Sequence, residues 1–139
     1  MARDLKVLAW IAEGGWEACV DAAAALPASE TTLIHVPQAH VPPAPFGRRR
    51  RLDVEARWTT VSGAAAEALL ADAERRLGRA ARKLAAEGRP EDAVIAAARD
   101  ADVLVLVRDG QPSPGPHSLG KATRFVVDHA PCAVLLAWP

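Results

Sequence analysis

The chain has 139 residues, half of them hydrophobic and 24% charged, with 17 basic against 17 acidic side chains and no formal net charge. That balance suits one domain, residues 1–139, with a sizeable core; it argues against disorder and gives no global electrostatic pull toward nucleic acid or an anionic membrane. No apolar run approaches membrane-spanning length, "MARDLKVLAW" lacks a cleavable signal pattern, and Cys19 and Cys132 form neither a metal-ligand spacing nor a disulfide framework, so a cytoplasmic protein with two reduced thiols is expected.

"LKVLAWI" (residues 5–11) is an apolar run of strand length, and Gly14 and Gly15 then permit a tight turn into an alanine-rich helix stopped by Pro27. "TTLIHV" (residues 31–36) is β-branched and apolar, hence a second strand. A long loop is expected over residues 37–60, with Pro37, Pro42, Pro43 and Pro45 and the four arginines Arg48 to Arg51. Ser62 is a suitable N-cap for the helix that follows, and Gly78 is placed to end it. The segment from Ala80 to Glu87 has helix propensity, yet glycines bound it and the alternation of elements needs a strand, so a short edge strand is expected. "PEDAVIAAARDA" reads as a helix with Pro90 in its first turn and Glu91 and Asp92 beside the positive end of its dipole. "DVLVLV" (residues 102–107) is apolar on both faces, as a central strand of a covered parallel sheet should be. Ser118 is a candidate cap for the last helix, whose Leu119, Ala122, Phe125, Val126 and Ala130 share a face; "CAVLLAW", from Cys132 to Trp138, is the final strand.

The resulting βαβαβαβαβ order predicts a doubly wound parallel sheet with helices on both faces, a Rossmann-like α/β fold. In such sheets a ligand is expected beyond the carboxyl ends of the strands where the winding reverses. The first and fourth strands both lead into glycine-containing turns there.

The connection after the fourth strand admits three readings. "GPHSLGKA" matches the phosphate-loop spacing from Gly115 to Lys121, but Ala122 stands where a hydroxyl should hold magnesium, and Thr123 is one place late, turned away by roughly 100° on a helix. Pro116 also removes an amide from the cradle, so a P-loop NTPase is the least favoured. A plain surface connection stiffened by Pro112, Pro114 and Pro116 is another.

The third comes from a resemblance. The two-glycine turn, "LIHV", "ADVLVLVRDG" and above all the ending "SLGKATRFVVDHAPCAVLLAW" resemble the universal stress protein family over nearly the whole chain. The resemblance implies a five-stranded parallel sheet ordered 3-2-1-4-5, of the adenine-nucleotide alpha-hydrolase-like kind, and a homodimer formed through the last strand, Cys132 to Trp138. It implies a role in the stress response through a protein partner or a small ligand, without enzymatic turnover. Nucleotide-binding members carry G-x2-G-x9-G-[S/T] after the fourth strand, which here falls on Val107, Gly110, Gly120 and Lys121. The second and third glycines are kept, while the first glycine is valine and the hydroxyl is lysine. The family's aspartate at the end of the first strand corresponds to Ala12, with Glu13 next, and its adenine contacts to Trp10, Ile11 and Val36. No cofactor is certain, and ATP or AMP is the candidate; the alternative is a nucleotide switch using Gly110, Gly120 and Lys121. Gly110 and Gly120 could supply positive φ or close backbone approach, and the helix start at Ser118 to Ala122 free amides for an anion.

The arginine run is expected to be a solvated loop, and His35, His40, His117 and His129 show no ligand spacing. Trp10 and Trp16 flank the crevice as packing residues, and Trp138 is a natural interface anchor.

Overall fold

The computed structural model describes residues 4–37 and 48–139, and for residues 48–62 the backbone alone. The elements are β1 (Leu5–Trp10), α1 (Trp16–Ala24), β2 (Ala28–His35), α2 (Arg48–Leu77), β3 (Arg82–Ala85), α3 (Pro90–Ala98), β4 (Val103–Val107), a 3-10 turn (Pro116–Ser118), α4 (Lys121–His129) and β5 (Ala133–Ala137). The sheet runs β3-β2-β1-β4-β5 and every pairing is parallel, as the resemblance implies. Winding reverses between β1 and β4, which pair from Val7–Val103 to Ala9–Val105.

Alternate residues of the central strands feed two cores. Val7, Ala9, Ile11, Leu33, Val105 and Val107 pack with α1 and α2 through Cys19, Val20, Ala23, Leu70 and Ala73. Leu8, Ile34, Val36, Leu104 and Leu106 pack with α3 and α4 through Val94, Ala98 and Val126. Strands apolar on both faces fit no other arrangement, since a bare face would leave valine and leucine in water.

β3 forms against local propensity. Thr32 to His35 pair with Arg82 to Ala85, and the Ala86 N–H donates to the His35 carbonyl at 3.0 Å. A ladder that satisfies backbone groups outweighs the few tenths of a kcal/mol by which these residues favour helix. Gly78, at φ 76°, ends α2 as expected. Pro90 is in the first turn of α3 with Glu91 and Asp92.

Three expectations are corrected. Residues 48–60 are not loop, because α2 begins at Arg48, and Ser62 lies inside that helix and not at its start. From Leu52 to Ser62 no proline or glycine interrupts the helix, and at Gly63 a Cβ would meet nothing within 4 Å. The prolines at 42, 43 and 45 and the rest of residues 38–47 lie outside the described residues. Nor does Ser118 cap the last helix. Its N–H and its hydroxyl both turn back to the Gly115 carbonyl, at 3.1 and 2.8 Å, and α4 starts after Gly120. That later start puts Thr123 and Val126 in the core, while Phe125 is 42% exposed and stacks on His129 at 4.0 Å. The His129 Nδ1 donates to the Phe125 carbonyl at 2.8 Å.

The two sheet margins differ. β3 presents exposed Arg82 and Lys83, whereas β5 presents exposed Ala133 and Leu135 with Trp138 just beyond. Among the described residues no helix is long and apolar enough to cross a membrane.

Candidate functional site

The carboxyl ends of β1, β2 and β4 meet around one cleft. The Ile11 N–H donates to the Ile34 carbonyl at 2.8 Å, which carries the β1–β2 pairing past the end of β1. The buried His35 closes β2 by donating from Nδ1 to the Ile11 carbonyl at 2.5 Å, since a carbonyl can only accept. The chain then turns through Gly14 and Gly15. Gly15 needs to be glycine twice over: its φ is 79°, and a Cβ would sit 3.0 Å from Val107 Cγ1.

The cleft holds about 440 Å³ and is lined by Trp10, Ala12, Glu13, Gly14, His35, Val36, Pro90 and Asp109. A cavity of about 30 Å³, room for a single water, adjoins it between Trp16, Leu106, Val107 and Thr123 and shares Trp10, Ala12, Gly14 and Asp109.

Asp109 sets the electrostatics. One carboxylate oxygen accepts from the Gly120 N–H at 2.7 Å and the other from the Thr123 hydroxyl at 2.7 Å. The first turn of α4 carries no acidic residue and starts on Lys121, a poor choice beside the positive end of a dipole. Asp109 therefore caps this helix from 11 residues upstream and places a negative charge where the helix favours an anion. Of the amides expected to be free at this helix start, that of Gly120 is taken by the chain's own carboxylate.

The rest of the connection is equally self-satisfied. The Gly110 N–H donates to the Ser118 carbonyl at 2.9 Å and the Gln111 N–H to the His117 carbonyl at 2.7 Å. Gly110 is glycine for clearance, because a Cβ would lie 2.2 Å from the His117 oxygen. Neither Gly110 nor Gly120 has a positive φ, so close approach, and not backbone conformation, explains both. Within "GPHSLGK" the Ser118 and Gly120 amides already have partners and Pro116 has none to offer, which interrupts the run of consecutive amides a P-loop needs. Arg108 turns the other way. Its guanidinium donates to the Ser118 hydroxyl at 2.7 Å and lies 4.7 Å from the centre of the Trp138 ring, while its Nε is the one buried side-chain polar atom without a partner among the described residues.

Of the residues singled out in the sequence, Ala12 and Val36 line the cleft, and Val107 lines the small cavity while filling core space against Gly15. Gly120 abuts the Asp109 carboxylate. Gly110, Lys121 and Ala122 are not on the cleft wall; Lys121 is exposed and Ala122 half-buried. Trp10 lines both spaces and Trp16 the smaller one. Asp109 was missed because it belongs to no motif position. The available signal was an acidic residue directly after a buried strand, ahead of a helix whose own first turn has none.

Cys19 lies under the site with its thiol donating to the Trp10 and Val105 carbonyls, each at 3.4 Å. Burial pushes its pKa up to about 12, against a smaller lowering by the Trp10 hydrogen bond. Among the described residues no group of three or more His, Cys, Asp or Glu could hold a metal ion.

Residues 4–137 match the model of the universal stress protein family. Among solved structures, the universal stress protein UspA from Lactobacillus plantarum is 20% identical with a TM-score of 0.67, over 99% of each chain. A universal stress protein in complex with cAMP is 19% identical with a TM-score of 0.62, over 99% of this chain and 98% of that one. A family protein from Arabidopsis thaliana with AMP bound is 16% identical with a TM-score of 0.58, over 96% and 90%. A search of curated proteins found no match.

Proposed function

Because the chain belongs to the universal stress protein family, we propose that it is a single-domain, dimeric stress-response module that binds a small ligand in the β1–β2–β4 cleft without turning it over. The observation that carries this is Asp109 on the Gly120 amide and the Thr123 hydroxyl. It leaves a cleft of ligand size with a carboxylate at the start of α4, and so a phosphate-binding loop that is degenerate in chemistry. Ala12 in place of the family's aspartate, Val107 in place of a glycine and Lys121 in place of a hydroxyl point the same way.

Dimerisation through β5 is supported by the contrast between the sheet margins. Charged side chains on an edge strand discourage pairing with another chain, and β3 has them. β5 has Ala133, Leu135 and Trp138 exposed instead, which a second copy would cover. A cytoplasmic location accords with the family and with the reduced, buried Cys19.

AMP and cAMP in the two relatives favour a second reading, an ATP or AMP switch at the same cleft through Gly110, Gly120 and Lys121. Thermal melting with millimolar magnesium ATP separates the two. A ligand at a hundred times its Kd adds about 2.7 kcal/mol, several degrees for a domain of this size. The degenerate-loop reading expects a change under about one degree. A rise of several degrees that Lys121→Ala abolishes establishes the switch.

A further inference from the structure

We infer that the cleft selects a flat heteroaromatic ring carrying hydroxyl or amino donors and no phosphate, a nucleoside in chemical class, because Asp109 puts a carboxylate on the cleft wall at the start of α4. The inference rests on the small-ligand role proposed for this cleft. Trp10, His35, Val36 and Pro90 give it an aromatic and aliphatic wall, suited to a planar ring. Its volume of about 440 Å³ lies at the small-molecule end of binding clefts.

The charged residues on that wall are Glu13 and Asp109. Carboxylates accept hydrogen bonds from ring amino groups and sugar hydroxyls and repel phosphate oxygens. Two donors at the α4 start, the Gly120 N–H and the Thr123 hydroxyl, point to Asp109 at 2.7 Å, so any anion drawn to the remaining amides of that turn meets a carboxylate first. A phosphate must either displace that carboxylate or lie against it. Arg108, next to Asp109 in sequence, turns to the Ser118 hydroxyl and the Trp138 ring, and Lys121 is exposed; neither lies on the cleft wall to neutralise the pair.

Titration calorimetry of the full chain with adenosine and with AMP, at low and at high salt, tests this. Adenosine should bind at least about tenfold more tightly than AMP at low salt, and salt should narrow the gap as the repulsion is screened. Asp109→Asn keeps the side chain's shape and an oxygen for the Gly120 amide; it should raise AMP affinity and reduce the preference to under about threefold. The salt series on the unaltered protein needs no variant and stands if that one folds poorly. AMP binding as tightly as adenosine, or a preference that neither salt nor Asp109→Asn changes, overturns the inference and leaves the small-ligand role standing. No heat with either ligand likewise overturns the inference.

Discussion

Gly110→Ala is the sharpest probe of how the connection after β4 is built. A Cβ at residue 110 would lie 2.2 Å from the His117 oxygen, 2.7 Å from the Ser118 carbonyl carbon and 3.0 Å from the Leu119 nitrogen, all backbone atoms. No rotamer change relieves such contacts, so the strands of the loop must part. Parting them loosens the Gly110–Ser118 and Gln111–His117 hydrogen bonds, now 2.9 and 2.7 Å. Each is worth about 1 kcal/mol net, and overpacking adds about 1–3 kcal/mol, so a loss of about 2–4 kcal/mol is expected. For a chain of this size that lowers the melting temperature by on the order of 10 °C. Urea denaturation and calorimetry of the ligand-free protein measure it, with Gly14→Ala as the control, because nothing lies within 4 Å of a Cβ there. Gly110→Ala within about 0.5 kcal/mol of the parent, or no worse than Gly14→Ala, would refute the clearance explanation and return Gly110 to a purely ligand-contacting role.

Cys19 should stay unmodified by thiol reagents at pH 8 in the folded protein, while the half-buried Cys132 reacts first. Its folded pKa is raised, so its contribution is complete below the ordinary value of 9.0 and fades as pH climbs toward about 12. Between pH 9 and 10.5 the parent should lose roughly 1–2 kcal/mol more stability than Cys19→Ala, and equal losses would remove the thiol from the account. Leu135→Lys puts a charge on the β5 margin, where Leu135 is 36% exposed; sedimentation should find a folded monomer in place of a dimer. A dimer that survives the substitution pairs elsewhere.

The sheet was legible because its strands announce themselves: Val103 to Val107 can be buried on both faces only under helices on both sides. β3 was legible only through the order of elements, since Arg82 to Ala85 favour helix and the ladder to Thr32–His35 is a tertiary gain. The extent of α2 was not legible, because four adjacent arginines and a preceding proline cluster look like a solvated loop, whereas arginine is also a good helix former. At the site, the glycine spacing drew attention to the connection after β4 but not to Asp109. Motif matching assigns Gly120 and Lys121 to an absent anion, while the anion present is Asp109, whose partnership with Gly120 and Thr123 depends on how the loop folds back. Ser118 differs for a related reason: its hydroxyl donates to the Gly115 carbonyl and accepts from Arg108, and does not accept from the helix amides as a cap would.

The unequal margins of the sheet also set how far self-association can proceed. Once two copies join at β5, the outermost strands of the pair are both β3, each fenced by Arg82 and Lys83. Growth into a fibre needs a receptive strand at every step, so if the proposed β5 pairing forms, crowding this chain to high concentration should yield closed pairs and not threads.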